Sequence, residues 1–364
     1  MIDLEGKQSM KKDHYKLFIA TVLVLLSTGS VLGQDAKLVD AAKREGGKVV
    51  VYGSLENDTM DLISAAFKKK TGLDVDFWRD SANKVTDRVA AEFRAGKPQA
   101  DVVLTTTSTM RLSQKDGLLA KYDSPSAKAF PEDVIDANLG PAYRSTVIGV
   151  VYNTGIIKRA EAPKSLEDIT RPQYKGKVVF PDPSQHTTTA QWLASLHKIM
   201  GNEKADKFIH DLAASKPLLV PSLTPAGERI TTGETPIGVA FLKNVVFYGR
   251  NGVPLDYVRS EKFMGDGQSI TLAAKAPHPS AGKAFVDFFL GEESLKIMAN
   301  IGEFVTRKGI YPPLPDANKI QLVDMIDMDK EAFSQKMAEY KKIFLQYSTN
   351  TCTSGKVCGH YTQV

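Results

Sequence analysis

The chain has 364 residues, of which 42% are hydrophobic and 24% are charged, a balance typical of a folded globular protein and not of a disordered one. This length allows two lobes that each bury a core of their own. The net charge of +5 comes from 47 basic residues scattered among 42 acidic ones without a long basic block, which argues against a nucleic-acid-binding protein.

The N-terminus has the pattern of a secretory signal peptide. Lysines precede an apolar run over residues 17–26, and Gly33 stands where a small-residue cleavage site is expected. We expect residues 1–33 to be removed on export, so that the mature chain begins near Gln34. The apolar run is too short to span a bilayer, which disfavours a permanent membrane anchor.

The first third of the mature chain alternates between short apolar strands and amphipathic helices. We predict a helix over residues 35–45, strands over 48–52, 73–77 and 101–104, and further helices between these strands. This alternation indicates an α/β fold, with a mostly parallel sheet and helices on both faces. Ligands of such sheets bind beyond the carboxyl ends of the strands.

Two predicted loops at strand ends carry hydroxyl and amide groups. The turn over residues 53–58 offers Ser54 and Asn57, and the run of hydroxyl residues over 105–109 includes Thr106 and Thr107. These groups both donate and accept hydrogen bonds, which makes them candidates for ligand contact. The same residue types also serve as ordinary turn chemistry, so neither loop is specific alone.

The middle of the chain predicts a passage from one lobe to another. Residues 146–152 form an apolar strand with Gly149 at its centre, a position that needs either backbone freedom or close packing. We interpret residues 147–152 as the first crossing and place a second crossing near 255–270. The predicted lobes are then residues 34–146 with 270–346 for the first and 147–269 for the second. The other predicted elements are strands over 177–180, 236–241 and 270–274, helices over about 188–200 and 205–214, and helical aromatic stripes over 285–289 and 333–344.

The segment 177–192 joins a predicted strand to a helix start through a Pro-Asp-Pro loop. Pro181 and Pro183 end the strand, and the hydroxyls that follow are candidate N-caps. A helix N-terminus offers free backbone N–H groups and a partial positive charge, which both favour an oxyanion. We interpret the segment as half of a ligand site, with Ser184, Thr187 and Thr188 as contacts, although an ordinary capped helix has the same pattern.

Four segments carry a family resemblance: AAFKKKTGLDV (65–75), ADVVL (100–104), PKSLEDITRPQYKGK (163–177) and HPSAGKAFVDFFLGEE (278–293). Over residues 35–345 the chain resembles the extracellular solute-binding proteins of ABC importers, in the group that includes ferric-ion-binding proteins. The resemblance implies a type II-like periplasmic binding protein fold, in which two lobes close over a small ligand at a hinge. It also implies a monomeric periplasmic protein without enzymatic activity or cofactor, which delivers its ligand to a membrane permease.

The ligand implied by that group is ferric iron, which its members typically hold with an adjacent tyrosine pair, a histidine and a glutamate. The corresponding tyrosine-pair region here reads FLKN over residues 241–244, so most of those ligands are absent. Ferric iron requires anionic oxygen donors, and Lys243 would repel the cation. Glu56 and Tyr248 keep iron open as an alternative.

Lysine and asparagine in place of phenolates suit an anion instead. We predict a small organic anion, such as a phosphate, phosphonate or carboxylate compound, held by charge-assisted hydrogen bonds. His186 offers a pH-sensitive donor or is an incidental loop histidine, and no metal site is predicted. The predicted ligand-binding residues are Ser54, Asn57, Thr106, Thr107, Ser184, Thr187, Thr188, Lys243 and Asn244.

Residues 347–364 do not match this family. Their last segment, CGHYTQV, resembles a signature of the CAP superfamily of cysteine-rich secretory proteins, but too little of that domain is present to imply its activity. Cys352 and Cys358 could pair after export, and His360 alone makes no metal site. We expect this tail to be poorly ordered.

Two other classes of function use the same scaffold: an enzyme, and a ligand-sensing partner of a membrane receptor. Residues 34–345 contain no GxxxxGK loop, no Ser-His-Asp ordering and no cysteine nucleophile. Together with the export signal, this pattern favours binding for import over catalysis.

Overall fold

The computed structural model describes residues 36–349, and their alternating strands and helices confirm the predicted α/β fold class. The strands are β1 (Lys48–Gly53), β2 (Asp74–Arg79), β3 (Val102–Thr106), β4 (Leu119–Ala120), β5 (Ile135–Asp136), β6 (Gly140–Asn153), β7 (Val178–Pro181), β8 (Leu218–Val220), β9 (Ile237–Phe241), β10 (Leu255–Tyr257), β11 (Lys262–Ala273), β12 (Phe304–Val305) and β13 (Gln321–Asp324). The helices are α1 (residues 36–44), α2 (Asn57–Thr71), α3 (Ala82–Arg94), α4 (Thr107–Lys115), α5 (Thr187–Ser195), α6 (His197–Met200), α7 (Asn202–Ala214), α8 (Leu223–Thr232), α9 (Lys243–Gly249), α10 (Pro279–Phe289), α11 (Glu292–Asn300) and α12 (Lys330–Thr349).

The main sheet has the strand order β2-β1-β3-β11-β6-β9-β7-β8. At one end β1 pairs in parallel with β2 and β3, and at the other end β7 pairs in parallel with β8 and β9. Parallel neighbours need crossover connections, which the helices supply. Each end of the sheet therefore forms one lobe with a mostly parallel arrangement, as predicted.

The long strands β6 and β11 connect the two lobes. Strand β6 pairs with β11 up to Ile148 and with β9 from Ile148 onward, while β11 begins beside β13 and ends beside β3. The second crossing differs from the prediction in extent, because β11 is one unbroken strand from Lys262 to Ala273. A Cβ atom at Gly149 would lie 2.8 Å from a ring carbon of Phe263, so this glycine allows the two crossing strands to pack closely.

Apolar side chains cover both faces of the sheet. In the first lobe one core contains Phe67 and Phe285, whose ring centroids lie 5.2 Å apart, and a second core contains Met110. The second lobe likewise has two cores, one with Phe180 and the other with Ile230. Strands buried on both faces read as continuous apolar runs, which is why the sequence pattern predicts them well.

The C-terminal helix packs on the second lobe. Phe344 stacks on Phe180 with ring centroids 5.9 Å apart, and Tyr340 is buried in the same core. Helix α12 contacts α5 and α7. This corrects the prediction that assigned residues 330–346 to the first lobe. A helical stripe of aromatic residues predicts that a helix has a buried face but does not specify which lobe covers it.

Two predicted loops have a different local structure. Thr105 and Thr106 belong to β3 and Thr107 begins α4, so the threonine run is a junction between a strand and a helix. Helix α5 is capped by His186, whose Nδ1 accepts the N–H of Thr189 at 3.3 Å, and not by a hydroxyl. In the turn before this helix, Asp182 accepts the N–H of Ser184 at 2.8 Å.

The predictions for the signal peptide, Cys352, Cys358 and His360 lie outside the described residues. The first residues of the predicted tail, 347–349, form the end of α12. Within residues 36–349, no helix has the length and apolar character that a membrane span requires.

Candidate functional site

A cavity of about 640 Å³ lies where the crossing strands meet the ends of their neighbours. This volume is in the range of small-molecule sites. The wall draws on both lobes and on the crossing strands, with Thr107, Ser108 and Arg111 from α4, Gln191 and Lys198 from α5 and α6, and Arg144, Ser145 and residues 265–267 from β6 and β11.

Arg144 and Ser145 line this cavity, and each has one buried hydrogen-bonding atom without a partner in the described part of the chain. Each residue is 4% exposed. Arg144 Nε and Ser145 Oγ have no hydrogen-bond partner among residues 36–349. A buried polar atom without a partner costs about 1–3 kcal/mol, so these atoms mark a position where a bound molecule would complete the hydrogen bonding.

Arg144 also belongs to a charged cluster with Glu56, Lys243 and Glu303. Glu303 Oε1 lies 2.6 Å from Arg144 Nη1 and 2.9 Å from Lys243 Nζ. Glu56 lies 2.6 Å from Lys243 Nζ through Oε1 and 3.2 Å from Arg144 Nη1 through Oε2. Because Glu56 follows β1 and Lys243 follows β9, this cluster joins the two lobes directly.

The charged cluster keeps its members ionised despite burial. Burial by itself would raise the pKa of Glu56 and lower those of Arg144 and Lys243. The opposite charges outweigh this effect, so the pKa of Glu56 lies well below its usual range and the pKa values of the two cations lie above theirs. Removal of one member would therefore leave an uncompensated buried charge.

Three aspartates line another part of the cavity wall: Asp266 of β11, Asp324 at the end of β13, and Asp327. Burial raises the pKa of Asp266 to about 7, and repulsion from Asp324 and Asp327 adds to this effect. At neutral pH the Asp266 carboxyl is therefore partly protonated, and its charge responds to any ion that enters the cavity.

The Asp266→Asn substitution should stabilise the protein in a pH-dependent way. Because the folded-state pKa lies above the unfolded value, stability from the protonated carboxyl is present at acidic pH and is lost as pH rises toward 7. We expect the variant to exceed the wild type by up to about 4 kcal/mol at pH 8 and by much less at pH 4. Urea unfolding at both pH values measures this, with the exposed Asp123→Asn as the control. An equal difference at both pH values would show that Asp266 ionises normally.

The predicted ligand-binding residues fall in different surroundings. Thr107 lines the cavity, and its Oγ1 lies 2.8 Å from Ser269 Oγ. Lys243 belongs to the charged cluster, and Asn244 is buried against Gly227. The remaining predicted contacts lie at strand and helix ends outside the cavity wall as described: Ser54, which bonds to Thr105, Asn57 at the start of α2, Thr106 at the cap of α4, and Ser184, Thr187 and Thr188 around the start of α5. The ligand-binding role of these residues stays a prediction.

Four residues of the site are not among the ligand-binding residues predicted from the sequence: Arg144, Ser145, Asp266 and Glu303. Arg144 and Asp266 are charged residues within long strands. This position is the one signal that could have identified them, because a charged residue in a strand is seldom buried without a partner. The contact between Arg144 and Glu303 joins positions far apart in the chain, which no local pattern predicts.

The iron alternative finds few ligands in the described part of the chain. Among residues 36–349, no three His, Cys, Asp or Glu side chains converge as a metal site. Glu56 is engaged by two cations, and burial raises the pKa of Tyr248, which disfavours a phenolate. Burial also lowers the pKa of His186 to about 4, so its imidazole is neutral at pH 7 and serves as a helix cap.

A family model described as "Bacterial extracellular solute-binding protein" matches residues 48–302. The chain belongs to this family. The matched region runs from β1 through α11 and includes both crossing strands, Arg144 and Lys243. This solute-binding protein is therefore a component of an ABC importer, and the resemblance noted in the sequence is confirmed.

Related proteins share the fold and differ in their ligands. A relative from Salmonella typhimurium, provisionally named a 2-aminoethylphosphonate-binding periplasmic protein, is 25% identical over 236 residues, or 63% of this chain and 68% of its own. The periplasmic binding protein AfuA of Actinobacillus pleuropneumoniae, with fructose-6-phosphate bound, has a TM-score of 0.63 at 23% identity and covers 83% of this chain and 97% of its own. Iron-bound HitA of Pseudomonas aeruginosa has a TM-score of 0.64 at 21% identity, with 82% and 99% covered. The two structures confirm the two-lobed fold.

Proposed function

We propose that this solute-binding protein captures a small organic oxyanion, such as a phosphate, phosphonate or carboxylate compound, between its lobes. The observation that carries the proposal is that Arg144 and Ser145 both line the cavity, and that Arg144 Nε and Ser145 Oγ have no hydrogen-bond partner among residues 36–349. An N–H and an O–H group both donate to an anionic oxygen, and the guanidinium makes such a bond about twice as strong as a neutral one.

The guanidinium of Arg144 is held in place for this role. Its Nη1 is engaged by Glu303 and Glu56, so the side chain does not have to become ordered when a ligand arrives. Thr107 and Ser108 begin α4, whose free N-terminal amides also favour an anion. Lys243 adds a second cation behind Arg144 through their shared carboxylates.

Two of the related proteins support an oxyanion, while others bind ferric iron. The Salmonella protein is named for a phosphonate, and AfuA holds a sugar phosphate. Both compounds carry a tetrahedral phosphorus oxyanion. Ferric iron, the ligand of HitA, requires converging anionic donors, and residues 36–349 hold no group of three His, Cys, Asp or Glu side chains that could bind it. We extend the proposal to a monomeric periplasmic protein that begins near Gln34, passes its ligand to a permease and performs no chemistry on it. The periplasmic relatives support this location.

Thermal melting with a ligand panel tests the proposal. The panel contains inorganic phosphate, 2-aminoethylphosphonate, fructose 6-phosphate, citrate and ferric citrate. An oxyanion at about 100 times its dissociation constant should add about 2.7 kcal/mol of stability and raise the melting temperature by several degrees. A shift with ferric citrate alone, accompanied by a colour change, would overturn the proposal.

Ser145→Ala should weaken oxyanion binding about tenfold, because one hydrogen bond is lost. Ser294→Ala is the matched control, since Ser294 is also buried with an unpartnered Oγ but does not line the described cavity. Isothermal titration calorimetry of both variants separates the two roles. Equal affinity in both variants would remove Ser145 from the site.

A further inference from the structure

The charges in the cavity wall are unbalanced. Five aspartates and three cations line it, so the wall carries a net negative charge when all of these groups are ionised. The aspartates are Asp133, Asp136, Asp266, Asp324 and Asp327, and the cations are Arg111, Arg144 and Lys198. A ligand with only negative charge would be attracted to Arg144 and repelled by most of the remaining wall.

Three of the five wall aspartates form no ion pair among residues 36–349: Asp133, which is exposed, Asp266 and Asp324. Arg111 pairs with Asp136 at 2.9 Å and with Asp327 at 3.2 Å. Among residues 36–349, neither Asp266 nor Asp324 forms an ion pair. The nearby Lys198 donates to the backbone carbonyl of Asp324 and not to its carboxylate. In the pairing of β11 with β13, Asp324 lies opposite Gly265, one residue from Asp266. The two carboxylates line the same cavity, lie close enough to repel each other, and form no ion pair among the described residues.

We infer that the ligand is zwitterionic, with an oxyanion at Arg144 and Ser145 and an amino group at Asp266 and Asp324. The inference rests on the proposed function and specifies the class of its ligand. A protonated amine between the two carboxylates would remove their repulsion and donate up to three hydrogen bonds. A single molecule with both groups satisfies both ends of the wall, which neither a simple anion nor a simple cation does.

Binding of an amino group should change the protonation of Asp266. The groups that face Asp266 are Asp324 and Asp327, which favour its protonated form, and Arg144, which favours the ionised form. An arriving ammonium group adds a positive charge and lowers the pKa of Asp266 from about 7. Binding near pH 7 should therefore release a fraction of a proton from the protein.

The test compares 2-aminoethylphosphonate with ethylphosphonate, which has the same oxyanion and lacks the amine. Isothermal titration calorimetry with the wild type should give about tenfold or tighter binding of the amine compound, since a charge-assisted pair is lost in its analogue. Titrations in two buffers of different ionisation enthalpy measure the released proton. In the Asp266→Asn/Asp324→Asn double variant, we expect the affinity ratio to fall to about one and the Asp266 proton release to disappear.

The outcomes separate this inference from the proposed function. Equal affinity for the two phosphonates in the wild type, or an affinity ratio unchanged in the double variant, would overturn the zwitterion and leave the oxyanion site intact. Binding of fructose 6-phosphate but of neither phosphonate would do the same, because that ligand has no amine. If no oxyanion of the panel binds, the proposed function fails and the inference fails with it. Circular dichroism of the double variant confirms that it is folded.

Discussion

Arg144→Ala should reduce both the stability of the protein and its affinity for an oxyanion. The substitution leaves Glu303, whose side chain is 3% exposed, with Lys243 as its remaining partner. Breaking a buried ion pair by removing one partner costs about 3–5 kcal/mol, and the loss of a charged donor to the ligand costs about 10- to 100-fold in affinity. Urea unfolding and calorimetric titration with inorganic phosphate measure the two effects.

Two further variants separate stability from binding at this position. Arg111→Ala also removes a cavity-lining arginine, but its side chain is 46% exposed, so we expect a stability loss below about 1 kcal/mol. The Arg144→Met/Glu303→Gln double variant removes both charges of this ion pair, so that neither carboxylate nor guanidinium remains buried alone. Stability should therefore recover in part while binding stays lost. Normal oxyanion affinity in either Arg144 variant would show that the guanidinium is only structural.

Phe344→Ala should destabilise the second lobe by about 3–5 kcal/mol, the usual cost of truncating a buried aromatic residue. Phe344 is 6% exposed and stacks on Phe180, which is itself fully buried beneath α12. The substitution would open a cavity between this helix and β7. Urea unfolding measures the change, and a lower transition midpoint with an unchanged slope would show that the native fold is retained.

The same substitution tests where the C-terminal helix belongs. Lys341→Ala is the control on α12, because this residue is exposed, and its effect should be within about 0.5 kcal/mol. Amide hydrogen exchange should show that Phe344→Ala loosens α5 and α7 and leaves α2 and α10 of the first lobe protected. Equal loosening of both lobes would contradict the packing of α12 on the second lobe alone.

Arg144 and Asp266 differ in the charge state that their surroundings favour. Arg144 is buried and stays charged because Glu56 and Glu303 lie beside it, while Asp266 forms no ion pair among residues 36–349 and becomes partly neutral because burial and two nearby aspartates raise its pKa. The surroundings of Arg144 therefore favour its charged form, whereas the surroundings of Asp266, on the neighbouring strand, favour its neutral form. A ligand with both charges meets a wall that already differs in charge from one end to the other.

The α/β class, the order of the strands in the chain and the family resemblance are all readable from the sequence. Strands such as β3 and β7 are buried on both faces, so their apolar runs are visible without knowledge of their neighbours. The apolar strand at residues 147–152, which lies within β6, is readable for the same reason. These features are local in the chain, and local hydrophobic patterning is sufficient to predict them.

The candidate site depends on the tertiary structure. Glu56, Arg144, Lys243 and Glu303 come together through the strand order and the pairing of β6 with β9, β11 and β12, and no local pattern relates positions so far apart. The sequence identified Glu56 and Lys243 as candidates for different ligands, and the structure makes them an ion pair. It likewise decides that α12 covers the second lobe and that His186 caps α5. Burial and charge compensation depend on which strands are neighbours, and only the folded chain specifies that arrangement.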